Sequence, residues 1–238
     1  MCDLAAAMGV RAGGAVTTGW LCTNNMPNTG SVCSGSTSYW YGVTCDSYSN
    51  IVGIQLSCTS LTGTLPSTIG LLTFLHTVDL SFNKLTGTLP STIGLMSSLQ
   101  YIYLYGNFLS GSIPAEIGNC HNLLELRLSV NSLTGSIPSS IGNLSSLYYL
   151  DLYQNRLTGS IPSSLGYCTG LTYLKLASNS FTGSIPSSIG YLTNLKYAYF
   201  QYPNYFPYNT FTGTLPSTIG YLSNLIALYI DNNKIFGT

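Results

Sequence analysis

The stretch L-T-G-S-I-P-S-S-I-G at residues 133–142 recurs with small changes along most of the chain. It belongs to a 24-residue unit whose first apolar residue is Leu75, Leu99, Leu123, Leu147, Leu171 and Leu195. A weaker copy begins near Ile51, and another begins at Leu225 after an interval of 30 residues. Self-similarity at a fixed period predicts a solenoid in which each unit contacts mainly its neighbours.

The composition excludes several classes of function. The 238 residues carry no formal net charge, and only 6% of them are charged. The seven Lys and Arg residues are scattered, so the chain lacks the basic patch of a nucleic-acid-binding protein. No run of 18 apolar residues occurs, so we predict no membrane span within these residues. Low charge with many hydroxyl groups is typical of secreted proteins, and we expect an extracellular or cell-surface location.

The sequence pattern of a single repeat predicts its strand and its turn. Leu75, Val78 and Leu80 alternate with polar residues, as in a short strand with one buried face. Stacked repeats pair such strands into a parallel sheet. An asparagine follows three residues after the last inward Leu, at Asn83, Asn107, Asn131, Asn155, Asn179, Asn209 and Asn233. A polar side chain beside a core needs hydrogen bonds, so we expect a ladder of amides that bond turns in the same and adjacent repeats.

The second half of each repeat is predicted to form the convex back. The Leu-x-Gly-x-Leu-Pro segment is extended, because Pro90 restricts the residue before it. We expect Ser91 to cap a short helical turn that ends at Gly94.

Five of the seven cysteines lie in the first quarter of the chain: Cys2, Cys22, Cys33, Cys45 and Cys58. Such clustering at one end of a solenoid predicts a disulfide-bonded cap and an oxidising compartment. Cys120 and Cys168 lie at the same phase two repeats apart, about 10 Å at the usual strand spacing. This is too far for a disulfide, so we expect two free, buried thiols.

The consensus L-x-x-L-x-L-x-x-N-x-L-x-G-x-I-P-x-x-I-G-x-L resembles the plant-type, extracellular class of leucine-rich repeats. The stretch W-Y-G-V-T-C-D at residues 40–46 is similar to the end of that class's N-terminal cap. The resemblance implies an α/β fold: a right-handed, horseshoe-shaped solenoid with a parallel concave sheet and short helical or 3-10 turns on the convex side. It also implies a cap disulfide at Cys45, for which Cys33 is the expected partner. The extra cap cysteines depart from the family, and the pairing of Cys22 with Cys58 or with Cys2 stays open.

The same resemblance implies two segments and a function. Residues 1–50 form the cap, and residues 51–238 form about 7.5 repeats with a six-residue insertion near 201–208. The last unit stops at Thr238 without a C-terminal cap, so we expect the natural product to continue. Proteins of this class are receptor ectodomains or secreted inhibitors, not enzymes, and they bind proteins, peptides or glycans on the concave face.

Three columns of outward strand positions define the predicted binding surface. Nine of the 19 tyrosines and six of the 14 charged residues lie in these 24 positions. Aromatic enrichment on an exposed sheet is typical of a recognition surface. We therefore predict that the ligand contacts Tyr101, Tyr103, Tyr105, Arg127, Tyr149, Asp151, Tyr153, Tyr173, Lys175, Tyr197, Tyr199 and Tyr229. The alternative is that tyrosine simply suits strands, and that Arg127, Asp151 and Lys175 only pair with one another.

Other features leave alternatives open. The insertion carries four aromatic residues that form either a rim over the ligand or a filler against the solenoid. Asn143 begins the only N-glycosylation sequon, on the convex back. No catalytic, metal or cofactor motif occurs. The remaining functional alternatives are a structural protein without a specific ligand, and an ice- or crystal-binding protein that uses the convex row Thr64, Thr88, Ser112, Ser136, Ser160, Ser184 and Thr214.

Overall fold

The computed structural model describes residues 22–23, 26–27, 32–34, 36–38, 40–201 and 209–236. Its main feature is a nine-stranded sheet in which the strands follow one another in chain order. The first two strands pair antiparallel, and all later pairs are parallel with residue i beside residue i+24, or i+30 at the last pair. The strands are Val43–Cys45, Ile51–Gln55, Thr77–Asp79, Tyr101–Tyr103, Glu125–Arg127, Tyr149–Asp151, Tyr173–Lys175, Tyr197–Tyr199 and Ala227–Tyr229.

Each repeat returns along the other side of the core through a second, shorter strand and a 3-10 turn. The second strands pair two by two: Thr62–Thr64 with Lys84–Thr86, Ser110–Gly111 with Ser132–Leu133, Thr158–Gly159 with Ser180–Phe181, and Thr212–Thr214 with Lys234–Phe236. The 3-10 turns are Ser67–Leu71, Ser91–Leu95, Ala115–Asn119, Ser139–Asn143, Ser163–Tyr167, Ser187–Tyr191 and Ser217–Tyr221. The predicted stacked solenoid is confirmed, while the pairing of the second strands was not foreseen.

The core is a continuous column of leucine and isoleucine side chains between the two sides. In one repeat Leu123, Leu128 and Leu133 are fully buried, and Ile137 is nearly so. The cap contributes buried Trp40 and the disulfide that the family resemblance implies, between Cys33 and Cys45. Two short hairpins precede the nine-stranded sheet: Cys22–Thr23 pairs with Met26–Pro27, and Cys33–Ser34 pairs with Thr37–Ser38.

The remaining cysteines are partly as expected. Cys120 and Cys168 are free and buried, as predicted, and each thiol lies against a carbonyl of the preceding repeat. Burial raises the pKa of the Cys120 thiol to about 11. Cys58 is free and exposed, so its predicted pairing with Cys22 is wrong. Cys2 lies outside the described residues.

The asparagine ladder joins successive repeats inside the core. The Asn131 amide oxygen accepts the backbone N–H of Leu109 in the preceding repeat, at 2.9 Å. Its amide nitrogen donates to the carbonyl of Leu104, also in the preceding repeat, and to the carbonyls of Leu128 and Ser129 in its own. One side chain therefore satisfies polar groups of two repeats, as predicted.

A second ladder follows the 3-10 turns, but it differs from the predicted capping. Pro90 is the N-terminal cap of its turn and makes no side-chain capping bond, so the prediction for Ser91 is wrong. The hydroxyl one residue later bonds instead across repeats: Thr92 donates to Ser67 O, Ser140 to Ala115 O, Ser164 to Ser139 O, Ser188 to Ser163 O and Thr218 to Ser187 O. Because proline holds an extended backbone just before the turn, the serine after it is already the first residue of the 3-10 turn.

Replacing Asn107 by Ala removes one acceptor and up to three donated hydrogen bonds from the core. The backbone groups that it serves would then remain buried without partners. We expect the free energy of unfolding to fall by about 3 kcal/mol, measured by urea denaturation. Asn119→Ala, at an exposed site, is the matched control and should change stability by less than about 0.5 kcal/mol. Equal effects of the two variants would contradict the ladder.

The glycine of the I-G dipeptide allows the turns to stack. A Cβ atom added at Gly118 would lie 2.4 Å from the carbonyl oxygen of Ser140, whereas one added at Gly220 meets nothing within 4 Å. We expect Gly118→Ala to destabilise the protein by about 2 kcal/mol through overpacking. The same change at Gly220 should be neutral or stabilising by up to about 1 kcal/mol. Thermal unfolding of the two variants checks this, and a similar loss at both sites would contradict it.

Candidate functional site

The predicted contact residues form one surface, which we call the tyrosine face. Seven of the nine tyrosines belong to the concave strands, where alternate residues point away from the core. The parallel register places Tyr149 beside Tyr173, Tyr173 beside Tyr197, and Tyr199 beside Tyr229. Tyr105 and Tyr153 follow the ends of their strands, and both are half-buried.

Five of these tyrosines form a ladder of stacked rings. The ring centroids of Tyr149, Tyr173 and Tyr197 are 4.9 Å apart in succession, with interplanar angles of 24° and 12°. Tyr199 stacks on Tyr229 at 4.9 Å and lies parallel to Tyr197 at 6.4 Å. Each inner ring therefore covers the face of its neighbour, and the rings show mainly their edges and hydroxyl groups to the concave space.

The remaining tyrosines lie at the N-terminal end of the tyrosine face. Tyr101 and Tyr103 are neighbours on one strand, with centroids 6.1 Å apart and tilted rings. Tyr105 packs its ring against the edge of Phe82 at 5.0 Å. These rings are not part of the stacked ladder.

The third predicted column is only partly outward, which corrects the sequence analysis. Ser81, Ser129, Ala177 and Gln201 belong to it, and all four are buried. Each strand of the repeats ends at the second column, so the chain already bends into the turn at the third. The alternation of inward and outward side chains therefore stops there.

The charged residues of the tyrosine face differ in how deeply they are buried. Arg127 forms an ion pair of 2.6 Å with Glu125 on the same strand, the only ion pair within the described part of the chain. The predicted pairing among Arg127, Asp151 and Lys175 is therefore wrong for the arginine. Both acids are buried while the two cations are half-exposed, so the positive groups lie nearer the solvent than the negative ones.

Tyrosine rings hold both cations. The guanidinium of Arg127 lies 4.1 Å from the centroid of the Tyr149 ring and 5.2 Å from that of Tyr103. The ammonium of Lys175 lies 5.3 Å from the Tyr149 centroid and 5.8 Å from that of Tyr199. Such contacts stabilise a cation that is partly removed from water. Desolvation raises the pKa of the Asp151 carboxyl, although a hydrogen bond from the Tyr153 backbone and the charge of Lys175 oppose it.

Glu125 organises this region, and it was not among the predicted contact residues. Its carboxylate accepts a hydrogen bond from the hydroxyl of Tyr148 and pairs with Arg127. Burial and the Glu125 carboxylate raise the pKa of Tyr148 to about 12 and also raise that of Tyr103. Tyr148 precedes the strand, at a position that is highly variable among the repeats, so no periodic signal marks it.

The remaining predicted sites are the insertion, the glycosylation sequon and the convex row of Ser and Thr residues. Most of the insertion, residues 202–208, lies outside the described residues, so its role as rim or filler stays a prediction. Asn209 after it still occupies its place in the asparagine ladder. Asn143 is exposed at the end of a 3-10 turn. All seven Ser and Thr residues of the convex row are exposed.

Two kinds of feature are missing from the described part of the chain. It contains no cluster of three His, Cys, Asp or Glu side chains arranged for metal binding. Among the same residues, no helix has the length and apolarity needed to cross a bilayer.

Comparison with known proteins identifies the family. Leucine-rich repeat models match residues 74–96, 98–120 and 121–181. The chain is also similar to a chain in the structure of the BIR3–SERK2 complex from Arabidopsis thaliana, with 40% sequence identity and a TM-score of 0.52. The match covers 56% of this chain and 72% of that one. This protein is a plant-type leucine-rich repeat protein. No curated protein matches it.

Two longer ectodomains also resemble this leucine-rich repeat protein. One is the ectodomain of the membrane receptor kinase GASSHO1/SCHENGEN3 from Arabidopsis thaliana, in complex with CASPARIAN STRIP INTEGRITY FACTOR 2 (36% identity, TM-score 0.76, 82% of this chain). The other is the plant peptide hormone receptor RGFR1 in complex with RGF2 (40% identity, TM-score 0.68, 74% of this chain). This chain spans only 23% and 27% of those two chains.

The raised tyrosine pKa values predict an alkaline effect. A tyrosine whose pKa is higher in the folded state stabilises the fold below its unfolded pKa of about 10. That stability is lost as the pH rises through about 12. We expect the free energy of unfolding to decrease over this range, and Tyr148→Phe to make the decrease shallower. Tyrosinate absorbance should show one late-titrating group fewer in the variant.

Glu125→Gln is the matched control. It keeps the burial of Tyr148 but removes the charge, so the pKa of Tyr148 should fall part of the way toward its ordinary value. An unchanged late titration in both variants would contradict the described network.

Proposed function

We propose that this protein is an extracellular recognition module that binds an extended peptide along the tyrosine face. The observation that carries the proposal is the ladder of stacked tyrosines, which presents a row of hydroxyl groups at the strand spacing. The contact residues are those of the tyrosine face. Catalysis has no part in the proposal, because leucine-rich repeat modules of this type bind ligands.

The stacking geometry favours a peptide over a glycan on this face. Sugar rings bind aromatic side chains through the flat face of the ring. Both faces of Tyr173 are covered by Tyr149 and Tyr197, and Arg127 covers the outer face of Tyr149. The exposed hydroxyls instead donate to and accept from backbone amides, which an extended peptide presents along its whole length.

The spacing also supports a peptide that runs along the solenoid axis. The centroids of Tyr149 and Tyr197 are two ladder steps of 4.9 Å apart, about 9.8 Å. Three residues of an extended chain span about 9.9 Å. Every third residue of the peptide would therefore meet an equivalent tyrosine on every second repeat.

The rigidity of the tyrosine face supports its role in binding. Stacked rings and the ion-paired Arg127 lose little conformational freedom when a ligand arrives, which reduces the entropic cost of binding. Arg127 and Lys175 would supply the charged contacts, since Glu125 and Asp151 are buried beneath them. Of the two longer relatives, GASSHO1/SCHENGEN3 forms a complex with CASPARIAN STRIP INTEGRITY FACTOR 2, and the peptide hormone receptor RGFR1 forms one with RGF2, which agrees with this ligand class.

A triple variant tests the hydroxyl groups directly. Replacing Tyr149, Tyr173 and Tyr197 by Phe keeps the stacked rings but removes three hydroxyls. Peptides would first be selected on the wild-type protein from a random display library. We expect the triple variant to bind the selected peptides about 10- to 100-fold more weakly, since each lost hydrogen bond contributes about 1 kcal/mol, while its melting temperature stays unchanged. Calorimetry gives the affinities.

Tyr48→Phe is the control, because Tyr48 is 85% exposed on the cap, away from the tyrosine face. A second variant with Tyr103, Tyr149 and Tyr199 replaced by Ala should abolish binding. Selected peptides that bind all variants equally would show that the face is wrongly assigned. If no peptide is selected but a glycan array gives ligands that depend on the tyrosine face, the peptide assignment fails. No ligand of either kind would favour a structural protein.

A further inference from the structure

A second row of tyrosines lies on the convex side, outside the tyrosine face. Tyr167, Tyr191 and Tyr221 each end a 3-10 turn, and their exposed fractions are 62%, 57% and 66%. The same position holds Leu71 and Leu95 in the first two turns and asparagine in the next two. Aromatic residues thus occupy this position only in the last three described turns.

The ring faces of this convex row are open. Within the described part of the chain, no ring or cation stacks on Tyr167, Tyr191 or Tyr221, in contrast to the concave ladder. The turns themselves are close-packed, because a Cβ atom at Gly166 or Gly190 would lie 2.4 or 2.6 Å from the next turn. The three tyrosines therefore project from a regular, rigid support, one per repeat.

The surroundings of the convex row are polar and carry few charges, although exposed Lys196 follows Asn194 by two residues. Residues 157–174, 176–195 and 209–230 contain no Asp, Glu, Lys or Arg. Exposed Thr169, Thr193 and Ser223 each follow one of these tyrosines by two residues. The amides of Asn194 and Asn224 donate to the preceding repeat, which leaves their oxygens as acceptors. The surface thus combines open aromatic faces with hydroxyl and amide groups and carries little charge.

We propose that Tyr167, Tyr191 and Tyr221 form a binding platform for a neutral polysaccharide chain. The C–H face of a pyranose ring packs on an aromatic face, while its hydroxyls bond to neighbouring hydroxyl and amide groups. A repeating surface fits a repeating polymer better than a small molecule, which needs a pocket. The scarcity of positive charge disfavours polyanions such as nucleic acid or pectic acid. An interface with a protein partner usually has apolar residues between the aromatic rings. Here the positions beside the rings carry the hydroxyl residues Thr169, Thr193 and Ser223 instead.

Affinity electrophoresis tests this platform. The protein carries Asn143→Gln in every sample, so that a glycan of its own cannot interfere. It migrates through gels that contain hydroxyethylcellulose, xyloglucan or polygalacturonic acid. We expect retardation by at least one neutral polymer, little dependence on salt, and none by polygalacturonic acid. Replacing the three tyrosines by Ala should weaken binding at least 10-fold, whereas replacing them by Phe should change it less than about 3-fold.

Phe82→Ala combined with Phe108→Ala is the matched control, because these rings are similarly exposed, at 58% and 61%, on another part of the solenoid. This variant should bind the polymer like the wild type. The proposal is overturned if no neutral polymer retards the protein, if the Ala variant of the three tyrosines is retarded equally, or if the tyrosine set and the phenylalanine pair contribute alike. The last result would indicate general adhesion. Peptide binding by the tyrosine face should be unchanged in the Ala variant, so the two proposals fail separately.

Discussion

The buried asparagine amide is the interaction on which the rest of this solenoid depends. In a 24-residue repeat, some backbone N–H and C=O groups of the turn face the core and need a side chain as their hydrogen-bond partner. Asn131 resolves this by accepting an N–H from one repeat and donating to carbonyls of two. Because an unpaired backbone group in the core is costly, repeats at any other offset would be penalised. The amide thus fixes the register between neighbours.

Fixed register determines the properties of the tyrosine face. Once neighbouring strands are held in this register, equivalent residues lie side by side, and the ring centroids of Tyr149, Tyr173 and Tyr197 are 4.9 Å apart in succession. The tyrosines at these strand positions therefore stack on one another. The stacking covers the ring faces and leaves edges and hydroxyls for a ligand. The six-residue insertion does not disturb this order, since Asn209 restores the amide contact directly after it.

The two tyrosine-bearing surfaces differ because their backbones differ. The concave strands hold the rings side by side, with Arg127 and Lys175 between them, so polar edges and charge dominate. The convex turns hold Tyr167 and Tyr191 apart from other rings, so open faces dominate. One residue type therefore supports two kinds of recognition on one scaffold, the first suited to a peptide backbone and the second to a sugar ring.

The sequence by itself determined the repeat, the inward leucines, the asparagine ladder and the outward position of the tyrosines, because each follows from a period that is visible in one chain. Only the tertiary structure decided how side chains from different repeats meet. Arg127 pairs with Glu125 rather than Asp151, and Tyr148 enters the site from before the strand. The burial of Ser81 and Gln201 also depends on where the short strands end. Spacing gives the column in which a side chain lies, but depth, ring stacking and charge pairing arise only when the coils are in contact.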